Sequence, residues 1–102
     1  MNSLLEMNRE AIARLCAQYH VIRLEVFGSA TGADFDADHS DVDFLVRFSP
    51  CSPSEHYERY FGMLESLRSL FQREIDLVEA DALKNPYLMR RIDESRDLIY
   101  AA

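Results

Sequence analysis

The stretch Asp41-Val42-Asp43-Phe44-Leu45-Val46-Arg47-Phe48 decides the fold. Large apolar side chains stand at every second position of it, and aspartates occupy the first two positions between them. Because successive side chains of a β-strand point to opposite faces, this alternation predicts a strand over residues 41–48 with one apolar core face. Asp41 and Asp43 then lie on the opposite, open face, about 6.5–7 Å apart along the backbone.

The rest of the chain interleaves helical and strand patterns around this strand. Apolar side chains recur every three or four residues in some segments, which predicts helices, and alternate in others, which predicts strands. The predicted helices cover residues 3–19, 54–71 and 87–95, and the predicted strands cover Val21–Phe27, 41–48, 74–79 and 97–100. Such interleaving is typical of the α/β (α+β) class, so we expect a small mixed β-sheet with helices packed on one face.

Local signals refine these predictions. Ser54 is the expected N-cap of the second helix, and Pro86 is the expected first-turn proline of the third. On the first strand, Ile22, Leu24 and Val26 are expected to form the core face. A loop or short helical turn is expected over residues 30–40, and no interdomain linker is evident, so residues 1–102 are predicted to form a single domain.

A third aspartate extends the acidic pair. Asp76 lies in the alternating segment 74–79, and pairing of that strand beside residues 41–48 would add it to Asp41 and Asp43. Carboxylate oxygens at this spacing suit Mg²⁺, which takes its remaining ligands from water and substrate phosphates. Asp76 is then a ligand of a second metal ion, the acceptor of a proton from an attacking hydroxyl group, or both.

A Gly-Ser pair at the end of the first strand supplies the other half of the candidate site. Gly28 allows the backbone to turn sharply and to approach a ligand closely. Ser29 offers a hydroxyl group and a backbone N–H to an anion, at the start of a possible short helix. We therefore expect a triphosphate to bind here while its metal ion binds to the aspartates.

Charge and composition narrow the class of protein. The net charge of -7 disfavours nonspecific nucleic-acid binding and fits divalent cations or a basic partner protein. No apolar run approaches the roughly 20 residues of a membrane helix, and residues 1–10 show no apolar signal core. Cys16 and Cys51 lie in an apolar helical pattern and a Ser/Pro loop, which is not the pattern of a metal site or redox pair. A cytoplasmic location is therefore expected.

In combination, these motifs resemble the minimal nucleotidyltransferase (MNT) family of the DNA polymerase β-like nucleotidyltransferase superfamily. Three segments and the tail carry the resemblance: 27–29 (Phe-Gly-Ser), 40–46 (Ser-Asp-Val-Asp-Phe-Leu-Val), 75–78 (Ile-Asp-Leu-Val) and 81–88. The resemblance implies the nucleotidyltransferase fold, with Gly28 and Ser29 in contact with the nucleotide phosphates. It also implies that Asp41 and Asp43 are catalytic metal ligands and that Asp76 is the third carboxylate.

Free-standing members of this family are typically encoded beside a HEPN-domain protein and act as antitoxins. The resemblance therefore implies Mg²⁺-dependent transfer of AMP from ATP to a tyrosine of a HEPN-domain RNase toxin, which silences the toxin. The chain departs from the family pattern in one place. The family spacer often carries an Arg-Gly pair after Gly-Ser, whereas residues 30–34 read Ala-Thr-Gly-Ala-Asp, so this loop lacks a cationic phosphate contact.

Two other functions stay open. The Arg-free spacer and the net charge also fit a catalytically weak antitoxin that neutralises the HEPN toxin by direct binding. The second open function is the same nucleotidyl transfer to a small molecule such as an aminoglycoside, or to an RNA end. Larger transferases of those kinds carry added substrate domains. Arg90 and Arg91 are interpreted as a solvent-facing part of the third helix, with a triphosphate or partner contact as the alternative.

Overall fold

A computed structural model describes residues 3–31 and 41–102, with the side chains of residues 3, 29 and 30 excepted. The helices are α1 (Ser3–Met7), α2 (Arg9–Gln18), α3 (Pro53–Phe71) and α4 (Pro86–Ser95), and the strands are β1 (Val21–Phe27), β2 (Val42–Phe48), β3 (Ile75–Glu79) and β4 (Asp97–Ala101). Short 3-10 turns, Gly28–Thr31 and Ala80–Ala82, follow β1 and β3. Most of the predicted loop over 30–40 lies outside the described residues.

The strands form a mixed four-stranded sheet in the order β3-β2-β1-β4. β2 is antiparallel to β1 and parallel to β3, and β4 is antiparallel to β1. The predicted fold class and mixed sheet are therefore confirmed. Within the described part of the chain, no helix combines the length and apolar character needed to cross a membrane.

The main core lies between one face of the sheet and helices α2 and α3. The apolar positions of β2 point into it, as the alternation predicts, and they meet buried side chains from both helices. This core includes Ile12, Cys16, Val42, Phe44, Val46, Phe48, Met63, Leu67 and Phe71. Burial raises the pKa of the Cys16 thiol to about 12, so this group is a neutral core side chain at physiological pH.

The prediction that the helices pack on one face of the sheet holds for α2 and α3 but is wrong for α4, which forms a second, smaller apolar cluster on the opposite face. Ile92 of α4 is buried together with Phe27 of β1 and Leu45 of β2. The helix begins as the sequence predicts, with Pro86 in its first turn, and the Asn85 side chain accepts hydrogen bonds from the backbone N–H groups of Tyr87 and Leu88. The open face of the sheet is thus partly covered, close to the candidate site.

Two helix boundaries differ from the predictions. The predicted helix 3–19 is interrupted at Asn8, whose side-chain amide donates a hydrogen bond to the carbonyl of Leu4 (2.8 Å) and so competes with the helical backbone. The N-cap of α3 is Ser52 and not Ser54, because the Ser52 hydroxyl accepts a hydrogen bond from the N–H of Glu55. Pro53 is consequently the first residue of this helix, a position that suits proline.

The predicted core face of β1 is wrong at its first residue. The β1–β2 register shifts between Val21 and Arg23, so a local irregularity turns Val21 into the core (2% exposed) and leaves Ile22 at the surface (37% exposed). Beyond this point the regular alternation resumes, and Leu24 and Val26 are fully buried as expected.

Glu25, on the α4 side of the sheet, is a buried charged residue with a full set of ionic partners. Its side chain is 5% exposed and accepts two hydrogen bonds from Arg96 (2.7 and 2.8 Å) and one from Arg23 (3.0 Å). Arg96 immediately follows α4, so the pair ties the end of this helix to β1. The hydrogen bonds from Arg96 lower the pKa of Glu25 to about 2, from an ordinary value of 4.5.

This shift predicts an acid-sensitive contribution to stability. Since the folded pKa lies below the ordinary value, ionised Glu25 stabilises the fold above pH 4.5, and the contribution is lost as the pH falls towards 2. We expect Glu25→Gln to lower the free energy of unfolding at pH 7 by about 2–3 kcal/mol, a value reduced because both arginines are partly exposed. Urea unfolding from pH 7 to pH 3 should show the difference between the variant and the unsubstituted protein shrinking below pH 4.5.

The matched control is Glu58→Gln, at an exposed position of α3. It should change the free energy of unfolding by less than about 0.5 kcal/mol at every pH. A difference for Glu25→Gln that stays constant across the pH range would contradict the assignment.

Candidate active site

Asp43 and Asp76 occupy paired positions on neighbouring parallel strands. The β2–β3 register places Asp43 opposite Asp76, with strands separated by about 4.8 Å. Val42 and Ile75, the preceding residues of the two strands, are both buried in the main core. Alternation therefore directs both aspartates to the face that carries α4, where Asp76 is exposed and Asp43 is largely covered.

Asp41 lies immediately before β2, which begins at Val42 and not at residue 41 as the sequence predicts. The backbone is nevertheless aligned with its neighbour, because the N–H of Val42 donates a hydrogen bond to the carbonyl of Glu74 (3.3 Å). Asp41 is exposed, and its charge acts on Asp43. The structure thus brings the carboxylates of Asp41, Asp43 and Asp76 within electrostatic reach of one another.

The electrostatic environment of Asp43 disfavours its ionised form. Burial is the main cause of a raised pKa, and the negative charges of Asp76 and Asp41 add to it, while the guanidinium group of Arg91 acts in the opposite direction. A positive charge bound near a partly desolvated carboxylate with two acidic neighbours would stabilise its ionised form.

Gly28 places the backbone against this carboxylate. Its φ angle of 74° lies in the left-handed region, and a Cβ atom at this position would stand 2.7 Å from Oδ2 of Asp43. Both the conformation and the space therefore require glycine. The N–H of Gly28 donates a hydrogen bond to Oγ of Ser95 (2.8 Å), which fixes the turn to the last residue of α4. The Ser29 backbone belongs to this turn, but its side chain lies outside the described groups.

Arg91 is the site residue whose contact the sequence did not predict. Its Nη2 atom lies 3.4 Å from Oδ2 of Asp43, and its guanidinium group lies 6.0 Å from the centre of the Phe27 ring. The pair is long and the Arg91 side chain is 61% exposed, so we expect it to contribute no more than about 1 kcal/mol. The interpretation of Arg91 as a solvent-facing helix residue is correct in that the side chain is exposed. It did not include the contact with Asp43, because helical periodicity carries no information on long-range contacts.

The donor chemistry of the site suits a divalent cation. Across residues 3–31 and 41–102, no three His, Cys, Asp or Glu side chains stand ready to enclose a metal ion. The three carboxylates nevertheless provide the hard oxygen donors that Mg²⁺ prefers, and the repulsion from Asp76 and Asp41 adds to the burial that raises the pKa of Asp43. A cation bound among them would relieve that repulsion, so the residues fit the ion.

The model of the family described as "Nucleotidyltransferase domain" matches residues 9–99, which is nearly the whole chain. This chain belongs to the nucleotidyltransferase domain family. The match includes the Gly28 turn, β2 and β3, which carry the candidate site. The predicted enzyme class, a nucleotidyltransferase, is confirmed.

Similar proteins support the resemblance to minimal nucleotidyltransferases. The Methanocaldococcus jannaschii protein named "Putative protein adenylyltransferase MJ0128" is 35% identical over 83 residues, which cover 81% of this chain and 79% of that protein. A solved structure described as a "putative minimal nucleotidyltransferase" is 27% identical, with a TM-score of 0.69, and the alignment covers 91% of this chain and 90% of that one.

The fold also occurs in a toxin–antitoxin complex. A structure of a tri-AMPylated Shewanella oneidensis HEPN toxin in complex with an MNT antitoxin matches with a TM-score of 0.64 and 16% identity. The alignment covers 96% of this chain and 73% of the matched chain. At this identity the likeness establishes the fold.

The raised pKa of Asp43 predicts that this residue destabilises the metal-free protein. Because folding disfavours the ionised carboxylate, the charge lowers stability at pH values above the folded pKa. We expect Asp43→Asn to raise the free energy of unfolding at pH 7, in the presence of a chelator, by about 0.5–1 kcal/mol. Urea unfolding measures this change directly.

Asp41→Asn is the matched control, since Asp41 is exposed and should have a much smaller effect. A loss of stability in Asp43→Asn would show that the pair with Arg91 outweighs desolvation and like-charge repulsion.

Proposed function

We propose that this protein is a Mg²⁺-dependent protein adenylyltransferase that transfers AMP from ATP to a tyrosine of a HEPN-domain RNase toxin. The observation that carries the proposal is the paired placement of Asp43 and Asp76 beside the Gly28 turn. The adenylyltransferase name of the archaeal relative and the AMPylated toxin bound to an antitoxin of the same fold support the acceptor class.

In this proposal Asp41, Asp43 and Asp76 would hold Mg²⁺, which would neutralise charge on the phosphates when bound. Asp43 is the inner residue, because it is the most covered of the three and is paired with a residue of each neighbouring strand. Gly28 leaves room beside its carboxylate, and the backbone of the Gly28–Thr31 turn borders the position proposed for the phosphates. The side chain of Ser29 is proposed to contact them as well.

The transfer needs one group that accepts the proton of the attacking tyrosine. The phenolic oxygen of the toxin tyrosine attacks the α-phosphorus, a new O–P bond forms, and the bond to the bridging oxygen of the β-phosphate breaks. Pyrophosphate leaves with that oxygen, and the phenolic proton passes to a carboxylate. Asp76 is the proposed acceptor, because it is exposed on an edge strand and open to an approaching protein.

The proposed partner is a protein and not a nucleic acid or a membrane. The net charge of -7 disfavours contact with phosphate backbones and favours a basic protein surface. A cytoplasmic toxin–antitoxin pair is the setting that we propose, with the two proteins in a hetero-oligomer.

The test is to incubate the protein with ATP, Mg²⁺ and the HEPN-domain product of a neighbouring gene, and to follow the mass of that product. We expect addition of AMP groups to a tyrosine. Asp41→Ala/Asp43→Ala should reduce the rate by at least about 100-fold, through loss of charge stabilisation, and Asp76→Ala by about 100- to 10,000-fold through loss of the base. Asp81→Ala, an exposed aspartate outside the site, is the matched control and should retain activity.

Neutralisation by direct binding is the second candidate, and the Arg-free spacer over residues 30–34 and the net charge of -7 favour it. Under this function, Asp41→Ala/Asp43→Ala would still silence the RNase activity of the toxin. Modification by the unsubstituted protein together with loss of silencing in this variant, with binding to the toxin retained, would reject it. Equal modification by the variant and the unsubstituted protein would reject the enzymatic proposal.

A further inference from the structure

Arg91 stands at the point where the acidic site meets the Gly28 turn. Its Nη2 atom lies 3.4 Å from Asp43 Oδ2 and would lie 3.3 Å from a Cβ atom on Gly28. We propose that Arg91 is a nucleotide-binding residue, which releases Asp43 when the metal ion binds and then contacts the triphosphate. This inference rests on the proposed function and assigns a further residue to the same site.

The position of Arg91 is set by contacts on both sides of it along α4. The neighbouring residue Ile92 is buried against Phe27, the last residue of β1. One turn later, Oγ of Ser95 accepts the hydrogen bond from the N–H of Gly28. The backbone that carries Arg91 is therefore fixed to the strand end and the turn, while the guanidinium group itself stays exposed. A side chain with a fixed backbone and an exposed guanidinium group can exchange one partner for another.

The contact with Asp43 is too weak to be the main role of this arginine. Charge-assisted hydrogen bonds are typically about 2.7–2.9 Å long, and Arg96 makes two bonds of this length to Glu25 on the same face of the sheet. The Arg91–Asp43 pair is longer, uses a single nitrogen and is open to solvent. A divalent cation on Asp43 would compete for the same oxygen and repel the guanidinium group. Arg91 would then lie beside the Gly28 turn, and its N–H groups would no longer donate to Asp43.

A triphosphate offers negatively charged oxygens in place of the Asp43 carboxylate that Arg91 would lose. Phosphate oxygens accept paired hydrogen bonds from guanidinium groups, and the side chain already faces the turn that borders the proposed phosphate position. Residues 30–34 contain no arginine that could supply this contact from the loop. Arg91 of α4 is a cation that already lies beside the turn and would supply the contact from the helix.

The experiment measures binding by calorimetry on the full chain, so that it does not depend on transfer activity. A non-hydrolysable ATP analogue, ADP and AMP are titrated with Mg²⁺ into the unsubstituted protein, Arg91→Ala, Arg91→Lys and Arg90→Ala. Arg91→Ala should weaken analogue binding by about 10- to 100-fold, with a smaller loss for ADP and little for AMP. Arg91→Lys should restore part of the affinity, and Arg90→Ala, the exposed neighbour, should bind as the unsubstituted protein does.

A second measurement uses Mn²⁺ alone, followed by electron paramagnetic resonance of the free ion. Because Arg91 and the cation compete for Asp43, Arg91→Ala should bind Mn²⁺ more tightly, by up to about fivefold, while it binds the nucleotide more weakly. A variant that was merely misfolded would lose both ligands. Opposite changes for metal and nucleotide are therefore specific to the proposed exchange.

Equal analogue affinities for Arg91→Ala and Arg90→Ala would overturn the assignment of Arg91 and leave the proposed function intact. Unchanged or weaker Mn²⁺ binding by Arg91→Ala would overturn the exchange at Asp43. Absence of analogue binding by the unsubstituted protein would reject the nucleotide function itself, and the inference with it.

Discussion

The parallel pairing of β2 with β3 is the constraint on which the site depends. It sets Asp43 opposite Asp76, and both residues follow a side chain buried in the main core. A shift of one residue in either strand would pair an aspartate with a core position and expose the apolar side chains of that strand. Burial of the apolar face therefore enforces the register, and the register in turn brings two carboxylates together that would otherwise repel each other. The apolar core and the acidic site are two faces of the same alternation.

Glu25 and Asp43 are largely covered carboxylates on the face of the sheet that carries α4, and their pKa values shift in opposite directions. Glu25 is chelated by Arg96 and also held by Arg23, and its pKa falls to about 2. Asp43 has the weaker pair with Arg91, and its pKa rises because burial and its acidic neighbours dominate. Both side chains are carboxylates on the same face of the sheet, and the difference lies in their arginine partners and in the acidic neighbours of Asp43. Glu25 has arginine partners within the fold and joins β1 to the end of α4. The ionised form of Asp43 is disfavoured by burial and by its acidic neighbours, and a bound cation would stabilise it.

The sequence was sufficient for features that depend on periodicity. Alternation over 41–48 and 74–79 predicted which face of each strand carries the aspartates, and the mixed sheet follows from the order of elements. The errors occur where a single local interaction overrides the period. The side chain of Asn8 takes a backbone carbonyl from its helix, and a register shift after Val21 exchanges the roles of Val21 and Ile22.

The contacts of Arg91 and Glu25 escaped prediction for a different reason. The contact of Arg91 with Asp43 and that of Glu25 with Arg96 each join residues at least 48 positions apart in the chain, so no local pattern encodes them. The same holds for the bond between Gly28 and Ser95. Such contacts depend on where α4 lies over the sheet, and that placement is set by burial of Ile92 beside Phe27 and Leu45. An alternating or helical pattern identifies the face of each element but not the element that will cover it.

Helix α4 therefore connects the stability of the fold with the chemistry of the site. Its buried residue Ile92 holds it against the sheet, its last residue Ser95 fixes the Gly28 turn, and its exposed residue Arg91 reaches Asp43. If the helix moved, the turn and the positive charge would move with it, while the register of β2 and β3 would keep the aspartates in place. The site thus has a fixed acidic half built into the sheet and a basic half carried by a helix. Metal and nucleotide, which have opposite charges, would engage these two halves in turn.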